Sequence, residues 1–432
     1  MLGPHRAWGG VPFWGGLPLS ARPGDPDYRL HRQFATVVSH RGLTMVSLTT
    51  TRGRRWALTA ALAIIAAAAG LMAVPLTASA SPKAELGAGQ VGTRAEIPWR
   101  SIGPGWALAV FSASSGGEGV PVKAGPSTLY LVDPAGGRYA VATWSEQSAQ
   151  KEWTLEAWSG DASRALFTSG VSRETVHQFQ LRTGKWTSFR LPKNVSAVGY
   201  TRPDGLNILA IRSLSDRAPA KASLVRYSLT GVLQRKLVTV DGLGGVAYQP
   251  AGAELAVGNL RGLELISNAG GVIRSLPVPG TKSGCNAVRW WSAGTILAAC
   301  PSRMWLVPAS GAKPTALTPV RKGSAFDFGD FDAWKLSSGL YLDAYGACGT
   351  LNIGYQPAHG PERQVMVPGS DSSLIVTATS HQLMVLRIGP CESNNSLVWF
   401  DPVTKAMKVA VPVTGHQAGV IYVVPYFVTG KF

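Results

Sequence analysis

Three aspartates fall within six residues in the stretch FDFGDFDAW, where Asp327, Asp330 and Asp332 alternate with Phe326, Phe328, Phe331 and Trp334. Carboxylate oxygens are the natural ligands of a hard cation, so this cluster could hold one such as calcium. The spacing is not that of an EF-hand loop, and the same residues fit a connection whose aspartates cap turns while its aromatics pack. Asp327, Asp330, Asp332 and Trp334 are therefore the candidate ligand-binding set. Other chemistry is thin. After the first 80 residues the only histidines are His177, His359, His381 and His416, and none forms an H-E-x-x-H pair. There is no G-x-S-x-G elbow, no phosphate-cradling glycine loop and no sialidase-type Asp-box. No catalytic residue is assigned and no cofactor beyond calcium is suggested. Paired carboxylates for glycoside chemistry stay open, because a fold can assemble them from distant positions.

The elements that would position such residues repeat. An alternating strand, a short turn and a second strand recur seven times, from LYLVDPAGGRYAVATW at Leu129 to LVWFDPVTKAMKVAVPV at Leu397. The turn glycines stand at 136, 184, 231, 270, 311 and 360, with Lys405 in the seventh turn. Before them runs a second pattern, a strand ending near an aromatic residue, a tight turn and a strongly apolar strand. VGYTRPDGLNILAI, VAYQPAGAELAV and VRWWSAGTILAA are examples, and the aromatics are Trp158, Tyr200, Tyr248, Trp290 and Trp334. Four strands per unit of roughly 40 to 50 residues is the period of a propeller blade. The reading is an all-β, seven-bladed β-propeller preceded by a signal peptide.

YTRPDGLNILAI resembles the SPDG turn of TolB-like or PD40-type propeller repeats, related in form to WD40 repeats, and WSGDASRALF and YQPAGAELAV are weaker versions of it. The resemblance implies a fold class, and in TolB-like proteins the propeller presents loops to partner proteins of the cell envelope. The chain shows no equivalent of the N-terminal domain of TolB itself, so that role does not transfer. It is similar overall to secreted propellers of high-GC Gram-positive bacteria.

With blades in place, the four cysteines acquire positions. Cys285 and Cys300 each lie seven residues from a turn at Ser292-Ala293. They would face each other across a hairpin at about 4.5–5.5 Å between Cα atoms, a span a disulfide bridges. Cys348 and Cys391 each follow the second strand of adjacent blades and would pair between them. Four pairable cysteines fit an oxidising compartment, the alternative being four buried thiols in a cytosolic protein.

The N-terminal region agrees with export. Arg52, Arg54 and Arg55 precede the uncharged apolar stretch Trp56–Val74, and Ala78-Ser79-Ala80 supplies a small-residue cleavage site. The alternative is an uncleaved anchor, since this stretch is near the length that spans a bilayer. The domain reading is an extension over 1–44 with translation starting at Met45, a signal peptide over 45–80 and a linker over 81–96. The propeller follows over 97–415, then a strand and tail over 416–432, which would complete the first blade or extend an outer edge. The net charge of +17 includes eight arginines against two aspartates in residues 1–80, leaving +11 on the remainder. Those charges are scattered, which argues against nucleic-acid binding.

First-to-second and third-to-fourth turns are short, whereas the long connections at 112–128, 212–223, 321–332 and 390–396 open on the opposite face. Binding usually resides in such loops on a rigid scaffold. The expectation is a secreted, extracytoplasmic, monomeric and non-catalytic binding propeller, with an extracellular or cell-envelope protein or glycan as partner and no membrane span after cleavage. The alternative is an extracellular glycan-acting hydrolase or lyase with acidic residues at the channel mouth. On export the mature chain should begin at Ser81, which intact mass spectrometry of the secreted protein measures. A mass that retains residues 56–74 would show an anchor instead.

Overall fold

The structure is a computed structural model that describes residues 86–426, apart from 118–119, 124, 146–152, 171–172, 216–219, 282–283, 302, 321–328, 390–394 and 415–417. The extension over 1–44 and the signal peptide over 45–80 lie outside the described residues. Seven antiparallel sheets stand around an axis, one for each repeat. The inner strands of blades 2 to 7 are Thr154–Trp158, Val195–Tyr200, Gly244–Tyr248, Asn286–Ser292, Gly329–Leu336 and Ser372–Ala378. Blade 1 takes its inner strand from the far end of the chain. Gly419–Pro425 pairs antiparallel with Ala107–Ser112, so the C-terminal strand completes the first blade and closes the ring. Val91–Thr93, in the stretch read as linker, adds a fifth strand to the outside of blade 1, parallel to Arg138–Trp144. Leu86 N–H anchors the start of this segment by donating to Asp133 Oδ2 at 3.2 Å.

Each sheet has neighbours on both faces, which explains the sequence of the second strands. Successive residues point to opposite faces. In blade 3, Ile208 and Ala210 therefore pack with blade 2, and Leu209 and Ile211 with blade 4. A strand buried on both faces must be apolar at every buried position, as ILAI (208–211), LAV (255–257) and ILAA (296–299) are. The buried apolar residues fall into seven clusters, one for each interface between blades. Trp158, Tyr200, Tyr248 and Trp290 face the preceding blade, where Trp290 Nε1 donates to the Ala247 carbonyl at 3.2 Å. Trp334 breaks this pattern and packs toward the following blade.

All seven inner strands skip a residue at a corresponding step in their pairing with the second strand. The skipped residues are Glu156, Val198, Gly245, Val288, Phe331, Val376 and Ile421. Such a bulge bends a strand and increases its twist, which suits edges that converge on an axis. It also re-aims the side chains that follow it.

Cys285 and Cys300 form a disulfide, with Cα atoms 4.2 Å apart. The hairpin turns at Ala293-Gly294, one residue later than the sequence suggests, with Ser292 opposite Thr295. Skips at Val288 and Trp291 restore the register, so that Asn286 opposes Ala299 and the cysteines meet beyond them. Gly244 and Gly258, partners in blade 4, lie against the Cys285 carbonyl, and a Cβ on either would collide with it. The expected Cys348–Cys391 pair lies outside the described side chains. For a bridge closing 15 residues, constraint of the unfolded chain is worth about 3 kcal/mol. The double variant Cys285→Ser/Cys300→Ser should melt several degrees lower by calorimetry. An unchanged Tm would contradict the bridge.

Candidate functional site

Two of the long connections are described in part and open on one face. In 112–128 the chain forms a hairpin of Ser115–Gly117 and Val120–Lys123. In 212–223 the second and third strands of blade 3 extend as a ribbon until Ser215 pairs with Lys221. The connections at 321–332 and 390–396 are described only from Gly329 and from Asn395.

The candidate ligand set divides. Asp327 lies outside the described residues. Asp330, Asp332 and Trp334 sit on the inner strand of blade 6, with the Phe331 bulge between the two aspartates. Asp330 opposes Ala344, which alternation places with Leu342 on the face toward blade 5. Asp332 opposes Asp343 and shares with Trp334 the face toward blade 7. The bulge therefore sends the two carboxylates to opposite faces. Among the described residues no group of three His, Cys, Asp or Glu side chains is placed to hold a metal ion.

Asp332 and Trp334 instead meet two residues that the sequence did not single out. Arg289, on the inner strand of blade 5, follows its own bulge at Val288 and crosses the inner edge of blade 6. It forms an ion pair with Asp332, and its guanidinium lies 3.5 Å from the centre of the Trp334 ring. Asp343 is fully buried, and its Oδ1 accepts from Ile375 N–H of blade 7 at 2.8 Å. Burial raises the Asp343 carboxyl pKa, opposed by the Ile375 hydrogen bond, the Arg289 charge and the Trp334 indole. Arg289 thus pairs with Asp332, while burial favours the protonated form of Asp343. The Arg289 and Asp332 side chains are only 12% and 17% exposed, so the group forms a closed polar latch across blades 5, 6 and 7. Both newcomers had a signal. Arg289 stands among apolar residues in NAVRWWS, and Asp343 interrupts the apolar strand GLYLDAY, where a buried charge demands a partner.

His177 is held on both ring nitrogens, by Ser169 Oγ at 2.8 Å and Ser188 Oγ at 2.7 Å, and it stacks on Trp153 at 4.3 Å. Burial lowers its pKa. Both of its ring-nitrogen partners are serine hydroxyls rather than the carboxylate that orients a triad histidine. His381 Nδ1 lies 2.9 Å from Ser337 Oγ, His359 is exposed, and His416 lies outside the described residues.

No protein-family profile and no curated protein matches the chain. Solved structures that resemble it include a prolyl endopeptidase, 14% identical with a TM-score of 0.46, covering 72% of this chain and 50% of that one. Apo AztD from Citrobacter koseri is 14% identical with a TM-score of 0.42, covering 76% and 99%. The β-propeller domain of Myceliophteria thermophila Cps50 (Swd1) is 17% identical with a TM-score of 0.42, covering 62% and 88%. The chain spans about half the length of the prolyl endopeptidase. Likenesses at this level assign no activity, and the seven-bladed propeller stands on its own strand pairings.

The latch has a measurable signature. Unfolded, Asp343 ionises near the ordinary 3.8, and folded it holds its proton to about 8. The stability it contributes is complete below the lower value and is lost as pH rises toward the higher one. Asp343→Asn keeps the acceptor for Ile375 N–H and has no proton to lose. Its Tm relative to the native chain should therefore rise between pH 5 and pH 8 in parallel melts. A constant difference across that range would contradict an ionisable, buried Asp343.

Proposed function

We propose that the chain is an exported, non-catalytic binding propeller of the TolB-like type, which contacts an extracellular or cell-envelope protein or glycan with its long-loop face. The observation that carries this reading is the segregation of the connections. Third-to-fourth turns such as Gln180–Lys185 are tight, whereas the Ser115–Lys123 hairpin and the ribbon ending at Ser215 and Lys221 rise on the other side. The Cys285–Cys300 bridge ends two strands at that same face and suits an oxidising compartment. Among the described residues no helix is long and apolar enough to cross a membrane.

A second reading has one observation in its favour. Asp332 and Asp343 are opposed, Arg289 pairs with the first, and burial favours a proton on the second, so two carboxyls in unlike environments face each other as in an acid–base pair for glycan cleavage. Against it, a substrate would have to displace Arg289 and Trp334 to reach Asp343. The binding reading is favoured for that reason.

One experiment separates the two. The mature protein is incubated with isolated cell-envelope glycan and with an envelope protein extract, and both retention and release of reducing ends are measured. The binding reading expects retention that falls about tenfold or more, equivalent to ~1.4 kcal/mol, when Ser115–Lys123 is replaced by a two-glycine turn, with no reducing ends released. Reducing ends that disappear in Asp332→Asn would establish the hydrolase instead.

A further inference from the structure

A cavity of about 280 Å³ opens between blades 6 and 7 on the short-turn face, away from the long loops. Its blade 6 wall carries Ser338, Tyr341, Tyr355 and Arg363, and its blade 7 wall carries Pro402 and Lys405. The tyrosine rings lie 5.3 Å apart, and the Tyr341 and Ser338 hydroxyls are 3.0 Å from each other. Arg363 opposes Tyr355 across the sheet and so shares its face. Among the described residues neither Arg363 nor Lys405 takes part in an ion pair.

Neither of the neighbouring acids lines the cavity. Asp401 Oδ1 accepts from the N–H groups of Val403 at 2.8 Å and Thr404 at 3.1 Å within its own turn. The Glu362 carboxylate occupies the space where Gly354 lacks a Cβ. Gly354 opposes Leu342, on the blade 5 face of the sheet, so Glu362 is on the far side from the tyrosines.

An independent observation concerns Lys405 itself. In blade 2 the turn Gln180–Lys185 is closed by Gly184 N–H to Gln180 O at 2.8 Å and Gln180 N–H to Lys185 O at 2.9 Å. The blade 7 turn repeats both bonds, from Lys405 N–H to Asp401 O and from Asp401 N–H to Ala406 O, each at 2.9 Å. Gly184 has φ +73° and Lys405 has φ +63°. The third-to-fourth turns of the other blades carry glycine at a positive φ, at 136, 184, 231, 270, 311 and 360. A lysine is strained in that conformation, and strain kept at one position is a pointer to a role there.

We infer that this cavity binds a small organic anion, a carboxylate or phosphate on a body of monosaccharide size, with the charge between Arg363 and Lys405 and the body against Tyr355. The volume is just below the range of pockets for drug-sized ligands, which sets the size. Two cations ask for one or two negative charges, and a tyrosine face with a nearby serine hydroxyl suits a sugar-like body. The site is independent of the long-loop reading.

The test is calorimetric titration of the mature protein with glucose 1-phosphate and with glucuronate, using glucose and inorganic phosphate as controls. At least one of the two organic anions should bind saturably with a Kd of about 1 mM or tighter, and more tightly than either control. Arg363→Gln and Lys405→Gly should each weaken that binding by about tenfold or more, the loss of one charge-assisted contact. Lys405→Gly should also melt at or above the native Tm, which separates lost binding from lost folding. If neither anion binds better than inorganic phosphate, or Lys405→Gly leaves the Kd unchanged, the proposal is overturned.

Discussion

The main-chain pairing of Gly419–Pro425 with Ala107–Ser112 is the constraint on which the other contacts depend. A blade with two buried faces is not stable alone, because each face needs a neighbour to exclude water. Six of the interfaces join blades consecutive in sequence. The seventh, between blades 7 and 1, brings together residues from opposite ends of the propeller, such as Ala107 and Trp399. Without the last strand, blade 1 would present the unpaired edge of Ala107–Ser112 to the axis, and the ring would have an open end.

Closure also fixes the geometry of the inner edge. Seven bulges at the corresponding step of seven inner strands bend those strands as they pass the axis, and each shifts the alternation of the side chains that follow. In blade 6 this shift has chemical consequences. It turns Asp332 away from Asp330, aligns it with Trp334 and Asp343, and leaves a carboxylate that Arg289 of blade 5 reaches. The cation offsets the cost of burying one ionised carboxylate, and Asp343 avoids that cost by holding its proton. Trp334, alone among the five periodic aromatics in facing the following blade, is the platform on which that arginine rests.

The repeat was legible because two-faced burial writes an unmistakable pattern, with an apolar second strand and a glycine in six of the seven outer turns. Cys285 and Cys300 were legible for a related reason, since symmetry about a hairpin turn survives when two skipped residues compensate for a turn one position later. The bulges were not, because Glu, Val, Gly, Phe and Ile at the skipped position share no property that a local reading could detect. The alternation of Asp330 and Asp332 could therefore not be followed through Phe331, and a cluster close in sequence proved divided in space. The strand that closes the ring could be seen at 419–427, but its partner lies more than three hundred residues away, where no local signal points. The cavity between blades 6 and 7 arises where two turns from different blades meet, which no single repeat encodes.

Hydrogen exchange on the native, mature chain tests ring closure most directly. Amides of Gly419–Pro425 should exchange as slowly as those of Ala107–Ser112 and of the other inner strands, all through one global opening. Fast exchange confined to Gly419–Pro425, with the remaining inner strands still protected, would show a C-terminal strand that frays independently and would contradict a ring held closed by it.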